Sequence, residues 1–268
     1  MELSLRPKNI IIVGGGSGIG YAAAEKLLCS GAQNVILASR NKIKLQNAKK
    51  SLAESLGQTN NNIENKIHIL DFDITKIKEH EALLEKSQNM IEDAQLDGLV
   101  ISSGINFDGS NWKGWNISET DWDNVMNTNL KGVFFLMRNF ANLLYSKSVK
   151  GNICVVSSIS AHRDLLSVYQ IAKLSLSRIV HAYGKYLGER GIILNCVEPG
   201  PVYTDLMKGL ADFTDGIRPG KQWNDNSIRR TIRAEEIAEL IYLLMTQLGE
   251  PLSGICILAG GGTKALFP

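Results

Sequence analysis

The chain has 268 residues, of which 44% are hydrophobic and 21% charged, and its formal net charge is +2. This length and composition suit one globular domain with a sizeable core. A net charge so close to zero gives no support for nucleic acid or an anionic membrane as a partner. No apolar run approaches the roughly 20 residues of a spanning helix, and residues 1–7 do not resemble a signal peptide. We therefore expect a cytoplasmic protein with no membrane or nucleic-acid partner.

Apolar strand-like runs alternate with longer helical stretches along the whole chain. The expected strands are 9–13, 34–38, 66–70, 97–102, 152–156, 192–197 and 255–258. The expected helices are 20–30, 42–56, 79–94, 119–145, 168–187 and 234–247. Because the strand runs are continuously apolar, they are typical of parallel strands covered on both faces. The pattern predicts an α/β fold: a Rossmann-type doubly wound sheet of about seven parallel strands with helices on both faces, in one domain over 1–268.

Four widely spaced cysteines give no sign of a metal site or a disulfide framework. Cys154, Cys196 and Cys256 lie in strand-like runs, Cys29 lies near the end of the first predicted helix, and none forms a CxxC pair. We interpret them as reduced core residues and expect no bound metal.

A glycine-rich segment follows the first strand and opens the first helix. Its spacing is GxxxGxG, through Gly14, Gly18 and Gly20. Glycines let the backbone turn tightly and approach a pyrophosphate, whose charge the N-terminus of a helix favours. Such a turn can also simply connect a strand to a helix, but its position favours nucleotide binding. The loop residues expected to contact the nucleotide are Gly14, Gly16, Ser17, Gly18, Ile19 and Gly20.

The end of the second strand bears on which dinucleotide would bind. The chain reads Ser39-Arg40-Asn41-Lys42 there, with no acidic residue. A carboxylate would repel a 2′-phosphate, whereas a guanidinium can bind it with two hydrogen bonds. The pattern favours NADP(H), with NAD(H) less favoured, and Ser39 and Arg40 as contacts. The alternative is that Arg40 and Lys42 only begin a solvated helix.

Tyr169 and Lys173 lie four residues apart, so that they share one face of a helix. A phenol with a pKa near 10 is a poor base at neutral pH. A nearby fixed cation favours the phenolate, and we therefore expect Lys173 to lower the pKa of Tyr169.

These motifs occur in a characteristic order with three others. The three others are Asn129 in an Asn-Thr-Asn-Leu-Lys-Gly string, a double serine before Tyr169, and an Asn195-x-x-x-Pro199-Gly200 string. The ordered set resembles the short-chain dehydrogenase/reductase family over nearly the whole chain, from Asn9 to Gly262. The resemblance implies a hydride transfer between a nicotinamide and a carbonyl or alcohol carbon, for which the cofactor supplies the chemistry.

The resemblance also implies a role for each matching residue. Tyr169 would exchange a proton with the substrate oxygen, Lys173 would bind the nicotinamide ribose, Ser158 would bond the substrate oxygen, and Asn129 would position a water. The residues that would line the cofactor beyond the glycine loop are Asp73, Ile74, Ser103, Gly104, Tyr169, Lys173, Pro199, Gly200, Val202 and Thr204. A segment at about 203–232 would form a substrate loop. Members of the family are commonly dimers or tetramers.

The chain departs from the family pattern at several positions. Val13 and Ile101 stand where the family usually has polar residues that bond to each other. Losing both partners of a bond is nearly neutral, so we expect the two side chains to be neighbours. Ser158 lies 11 residues before Tyr169, about two fewer than the family usually shows. We favour Ser158 as the catalytic serine, with Ser157 and Ser160 as alternatives.

Further residues suggest contacts with a substrate or with another copy of the chain. His162 and Arg163 lie in the shortened loop and would recognise an anionic or hydroxylated substrate, or simply lie at the surface. Two groups of apolar residues stand out. Trp112, Trp115, Phe213 and Trp223 would line a mobile lid or pack within loops. Phe134, Phe135, Met137, Leu176, Ile179 and Val180 favour a helix-mediated homodimer or homotetramer, although core packing would explain them as well.

The leading hypothesis is an NADP(H)-dependent carbonyl reductase or alcohol dehydrogenase with Tyr169 as acid and base. A cofactor-binding regulatory or scaffold protein without turnover is the alternative, since a fold does not fix a function. A nicotinamide-dependent epimerase or lyase is a third possibility.

Overall fold

The computed structural model describes residues 3–57, 62–91, 95–106, 116–163, 167–202, 204 and 227–262. In this part of the chain seven parallel strands form one sheet, in the order β3-β2-β1-β4-β5-β6-β7. The strands are β1 (Asn9–Val13), β2 (Asn34–Ser39), β3 (Ile67–Asp71), β4 (Gly98–Ile101), β5 (Gly151–Val156), β6 (Ile192–Pro199) and β7 (Cys256–Ala259). The predicted doubly wound parallel sheet is therefore confirmed.

The helices cover both faces of the sheet. They are α1 (Gly18–Cys29), α2 (Lys42–Gly57), α3 (His80–Asn89), α4 (Glu119–Met126), α5 (Gly132–Ser146), α6 (Val168–Gly188) and α7 (Ala234–Met245). One core cluster joins residues of α1, α2 and α7 to one face of the sheet, and a second joins α3, α5 and α6 to the other. The segregation follows from the alternation of side chains along each strand.

The sequence predicted one helix over 119–145, and the structure divides it. A π-helical turn, Asn127–Lys131, separates α4 from α5 and contains Asn129. A π turn widens the helix by one residue and is found most often at functional sites. Hydrophobic periodicity cannot reveal such a turn, because one inserted residue changes the apolar pattern very little.

The topology places a crevice at the centre of the sheet. β1 pairs with β2 on one side and with β4 on the other, so the connections after β1 and β4 leave in opposite directions. In open α/β sheets ligands bind at this point, outside the carboxyl ends of the strands. The carboxyl ends of β1, β4, β5 and β6 therefore mark where to look for a site.

The two unusual apolar positions are neighbours, as predicted. Val13 pairs in register with Ile101 across β1 and β4. Both side chains are buried, at 2% and 1% exposure, in the same core cluster. No polar group is stranded by either replacement, which fits the expectation that the two changes compensate each other.

The apolar residues that the sequence proposed for self-association fall into a buried group and a partly exposed group. Met137, Leu176 and Val180 are buried in the core, so core packing accounts for them. Phe134, Phe135 and Ile179 keep part of their surface exposed. Along α5 and α6 the large exposed side chains are Tyr145, Ile171, Leu174, Tyr183 and Tyr186. All four cysteines are unpaired, and Cys154, Cys196 and Cys256 lie in strands as predicted.

Within the described residues, no helix combines the length and apolar character needed to cross a bilayer.

Helix α6 approaches the chain before β7 so closely that one of its glycines has no room for a side chain. A Cβ on Gly184 would overlap Gly254 Cα, whereas one on Gly188 would lie 3.5 Å from Ser253 Oγ, an ordinary contact. We expect Gly184→Ala to lower the free energy of unfolding by about 1–3 kcal/mol through overpacking. Gly188→Ala, which removes a helical glycine without overlap, should leave it unchanged or raise it by up to about 1 kcal/mol. Urea unfolding of both variants checks this, and equal effects would contradict it.

Candidate active site

The glycine loop turns tightly because two of its residues adopt left-handed backbone conformations. Gly14 has φ +86° and Gly18 has φ +54°, values that residues other than glycine rarely adopt. A Cβ on Gly14 would lie 2.7 Å from Ser103 N, and one on Gly18 would lie 3.0 Å from Thr204 Cγ2. Because these glycines have no side chain, the loop can pack closely against residues that follow β4 and β6.

The start of α1 presents donors without competing charge. Ser17 is the N-cap residue, its side chain makes no capping hydrogen bond, and the first turn contains no acidic residue. The nearby Ser103 Oγ is buried and has no hydrogen-bond partner among the described residues. A buried hydroxyl without a partner is costly unless a ligand or water bonds to it. Helix start, glycine loop and orphan hydroxyl together suit the pyrophosphate of a dinucleotide.

At the end of β2 the structure places Lys44, at the start of α2, beside the glycine loop. A Cβ on Gly16 would lie 3.4 Å from Lys44 Cβ and 3.5 Å from Ser39 Oγ. Asn41 Oδ1 accepts a hydrogen bond from Lys44 N at 3.0 Å, so the first turn of α2 is fixed beside the glycine loop. Arg40 is exposed at the same edge. Sequence reasoning did not select Lys44, because only the packing of α2 shows which of its lysines faces Gly16.

Asp73 and Ile74 follow β3 and are held by short-range contacts. Thr75 donates to Asp73 Oδ1 from its backbone at 3.0 Å and from its hydroxyl at 2.8 Å. Burial acts to raise the pKa of Asp73, but these bonds and the charges of Arg40 and Lys76 lower it below its usual value. The charge of Arg40, at the end of β2, therefore acts on a carboxylate that follows β3.

The buried side chain of His80 contacts the backbone of Ile74. His80 Nε2 lies 2.9 Å from Ile74 O, and the imidazole packs against the ring of Phe72. His80 Nδ1 has no hydrogen-bond partner among the described residues. A neutral imidazole with its proton on Nε2 fits both observations.

Asn129 bonds to the chain after β4 through both atoms of its amide. Its Oδ1 accepts from Ile105 N at 2.8 Å, and its Nδ2 donates to Ile105 O at 2.7 Å. A Cβ on Gly104 would lie 3.3 Å from Asn129 Oδ1 and 3.7 Å from Lys173 Nζ. The same point beside Gly104 therefore lies within 4 Å of both Asn129 and Lys173.

Tyr169 and Lys173 lie on α6 beside the end of β5. Lys173 Nζ donates to Val156 O at 3.0 Å and lies 5.6 Å from the centre of the Tyr169 ring. The Ser158 side chain acts on Tyr169 and lowers its pKa, and its Oγ also donates to Ser160 Oγ at 3.2 Å. The tyrosine, the lysine and one serine of the double serine therefore converge at the carboxyl edge of the sheet.

The prediction that Lys173 lowers the pKa of Tyr169 is wrong for the protein by itself. Burial raises the pKa of Tyr169, and the bond with Ser158 offsets only part of that. Burial also lowers the pKa of Lys173 to about 8. Both groups are desolvated, and loss of solvent disfavours the charged form of each.

The structure assigns different surroundings to the three candidate serines. Ser157 is buried, and its Oγ lies 3.0 Å from Lys173 O and 3.1 Å from Ser177 Oγ, inside the protein. Ser160 donates from its backbone to Ser158 Oγ, which caps the short helix Ile159–His162. Of these three serines, Ser158 is the one whose side chain lowers the pKa of Tyr169.

The segment after β6 lies along the same edge. Gly200 N donates to Ala259 O at 2.8 Å, and Val202 forms a parallel bridge with Ile232. Asn195 is structural: its amide bonds to Gly249 O and to Ile255 N. Pro199 ends β6 and so precedes Gly200 at the crevice. Most of the expected substrate loop at about 203–232, together with Trp112, Trp115, Phe213 and Trp223, lies outside the described residues.

Sequence reasoning missed one buried group beside this site. Glu198 is 1% exposed at the end of β6, and its carboxylate contacts His162 and Ser177. His162 is therefore bound to an acid of the protein rather than simply lying at the surface or facing a substrate. The acidic residue directly before Pro199 was visible in the sequence, but only the fold shows that its side chain is buried.

Comparisons with known proteins agree with this geometry. A sequence profile of the family described as short chain dehydrogenase matches residues 8–214. An uncharacterised oxidoreductase of Staphylococcus aureus is 27% identical, over 91% of this chain and 93% of its own. Sorbitol-6-phosphate 2-dehydrogenase of Klebsiella pneumoniae is 26% identical, over 98% of both chains. The crystal structure of a short-chain type dehydrogenase/reductase from Mycobacterium marinum has a TM-score of 0.83 at 24% identity, covering 97% of this chain and 96% of that one.

Fold and site define a doubly wound α/β protein of the oxidoreductase class. More particularly, the match over residues 8–214 shows that the chain belongs to the short-chain dehydrogenase family, whose members use nicotinamide cofactors.

The buried imidazole under Ile74 makes the stability of the fold depend on pH. Burial lowers the pKa of His80 below its ordinary value of 6.5. Below about pH 6.5 the unfolded chain protonates this imidazole more readily than the folded chain does. The contribution of His80 to the free energy of unfolding is therefore fully present above about pH 6.5 and is lost as the pH falls below it. We expect His80→Phe to reduce the slope of unfolding free energy against pH between about 5 and 7. Urea unfolding across that range measures the slope, and an unaltered slope in the variant would contradict the assignment. His68→Gln should also reduce this slope, since burial lowers the pKa of His68 as well.

Proposed function

We propose that the protein is an NADP(H)-dependent oxidoreductase that interconverts a carbonyl and a secondary alcohol. The observation that carries the proposal is the convergence of Ser158, Tyr169 and Lys173 beside a glycine loop at the centre of a parallel sheet. Acid–base groups and a phosphate-binding turn then share one crevice. The bound nicotinamide would supply the hydride transfer, and the residues of this chain would orient the substrate and move the proton.

Tyr169 is the proton donor for reduction and the acceptor for oxidation in this proposal. A phenol whose pKa is raised by burial stays protonated at neutral pH, which suits donation to a developing alkoxide. Ser158 bonds to the same side chain and would hold the substrate oxygen beside it. The Ser157 hydroxyl bonds to Lys173 O inside the protein, and Ser160 is not among the groups that act on the pKa of Tyr169, which supports Ser158 over either of them.

Lys173 and Asn129 complete the proposed set. Val156 O holds the Lys173 ammonium next to Gly104 and Asn129, where it would contact the nicotinamide ribose. With both amide atoms bonded to Ile105, Asn129 is fixed rather than free to rotate. The π turn that contains it is of a kind frequently found at functional sites, which supports a role for Asn129 in positioning a water of the proton path.

NADP(H) is proposed over NAD(H) because the end of β2 offers positive charge and no carboxylate. Arg40 is exposed there, and Lys44 lies beside Gly16 and Ser39. The remaining contacts proposed for the cofactor are Gly14, Ser17, Gly18, Ile19, Gly20, Asp73, Ile74, Ser103, Gly104, Pro199, Gly200, Val202 and Thr204.

Assembly and location are part of the proposal. The exposed aromatic residues Tyr183 and Tyr186 on α6, together with Phe134 on α5, form a contiguous edge-to-face series. Such a patch is typical of a protein interface and supports a homodimer or homotetramer. Unpaired cysteines suit a reducing compartment, which supports a cytoplasmic location.

The proposal is tested by following NADPH and NADH absorbance against a panel of ketones, keto-sugars and acyl-carrier ketoesters. We expect Tyr169→Phe to lower kcat by about 10²- to 10⁴-fold, since it removes the acid–base group. Binding of NADPH, measured by its fluorescence, should persist. Ser158→Ala should reproduce much of the loss, whereas Ser160→Ala should not. Absence of turnover and of cofactor binding in the wild-type protein would favour a scaffold, and turnover without net cofactor consumption would favour an epimerase or lyase.

Cofactor preference is tested at Arg40. Replacing it by Asp puts a negative charge where the 2′-phosphate would lie, and we expect the ratio of kcat/KM for NADPH over NADH to fall about 10- to 100-fold, the value of one to two charge-assisted bonds.

Lys50→Ala is the matched control, because Lys50 is an exposed lysine of α2 that pairs with Glu54 instead. Its cofactor ratio should stay at the wild-type value. A ratio that changes equally in both variants would show general electrostatics rather than a phosphate contact at Arg40.

A further inference from the structure

Glu198 is a buried carboxylate that the proposed chemistry does not use. It is 1% exposed and directly precedes Pro199 at the end of β6. Its Oε2 lies 2.6 Å from His162 Nε2, and its Oε1 accepts a hydrogen bond from Ser177 Oγ at 2.5 Å. Both oxygens are therefore engaged by residues that come from two other segments of the chain.

Those two segments carry the proposed catalytic groups. His162 ends the short helix Ile159–His162, which begins directly after Ser158. Ser177 lies on α6, one turn after Lys173 and two turns after Tyr169. One carboxylate thus bonds to the segment of the catalytic serine and to the helix of the catalytic tyrosine and lysine.

The contact with α6 extends to the end of β5. Ser177 Oγ lies 3.0 Å from Lys173 O and 3.1 Å from Ser157 Oγ, and Ser157 Oγ donates to Lys173 O at 3.0 Å. The hydroxyls of Ser157 and Ser177 therefore join the carboxylate to the backbone of Lys173. A displacement of Glu198 would act on the catalytic lysine through this chain of hydrogen bonds.

The charge of Glu198 needs a partner because a buried carboxylate is costly when it is uncompensated. Among the described residues, His162 is its one ion-pair partner. The other groups that face the carboxylate are the thiols of Cys196 and Cys256, whose sulfur atoms lie within 4.8 Å of it and bring no positive charge.

We propose that Glu198 and His162 form a positioning pair that sets the placement of Ser158 relative to Tyr169 and Lys173. Neither residue contacts the reacting atoms; each acts through the segment to which it is bonded. The role rests on the proposed function, because it matters for turnover only if Ser158, Tyr169 and Lys173 perform the chemistry.

The pair makes a distinctive prediction: removing one partner harms turnover more than neutralising both. His162→Ala leaves a buried carboxylate without its imidazole partner, and the resulting displacement should lower kcat about 10- to 100-fold, as small misplacements of catalytic groups do. The KM for NADPH should change less than kcat, since neither residue of the pair belongs to the glycine loop or to the end of β2, which would bind the rest of the cofactor. In the double variant His162→Ala/Glu198→Gln, the neutral amide still accepts the bond from Ser177, so kcat should recover most of the loss.

His181→Ala is the matched control. His181 lies on the same helix, α6, at the surface, and bonds through Nδ1 to Gly254 O. Its kcat should stay within about twofold of the wild-type value, as for most surface substitutions. A His162→Ala variant as active as this control, or a double variant no more active than His162→Ala alone, would overturn the pairing.

Amide hydrogen exchange separates this inference from the proposed function. His162→Ala should speed exchange in peptides covering 157–178 and leave those of α1 and α7 unchanged, and the double variant should restore protection. If the wild-type protein shows no turnover while this pattern holds, the proposed function fails and the pair stands as a positioning device of the fold. Unchanged exchange over 157–178 would overturn the pair even in an active enzyme.

Discussion

The site depends on one constraint: all seven strands are parallel, so every carboxyl end reaches the same edge of the sheet. The chain order then decides which of these ends are neighbours. β1, β4, β5 and β6 lie side by side, and the segments that follow them carry the glycine loop, Ser103 and Gly104, the double serine, and the Pro199–Gly200 string. Residues nearly 190 positions apart in the sequence meet only because this pairing holds.

Desolvation gives this edge its chemical character. Lys173 is buried with its ammonium on Val156 O, and its pKa falls to about 8. Burial raises the pKa of Tyr169. The same loss of solvent would strengthen any hydrogen bond or charge that a nicotinamide cofactor brings to the crevice. The crevice is therefore organised before a ligand enters it, through contacts of Asn129 with Ile105 and of Ser157 with Lys173.

Evolutionary departures from the family pattern are local, and the fold shows why they are tolerated. Val13 and Ile101 face each other, so an apolar contact replaces a polar one without stranding a donor. The short helix after Ser158 ends at His162, which bonds to the buried carboxylate of Glu198.

The sequence by itself determined the parallel sheet, its strands to within one or two residues, the glycine loop and the tyrosine–lysine pair. These features are local: they depend on runs of apolar residues, on glycine spacing, and on two side chains one helical turn apart. It did not show the π turn at Asn127–Lys131, the position of Lys44 beside Gly16, or the burial of Glu198. It also gave the wrong direction for the pKa of Tyr169, because a motif shows which charges are near but not how much solvent is lost. Only the tertiary structure decided these points, since each depends on contacts between segments far apart in the chain, which no local pattern encodes.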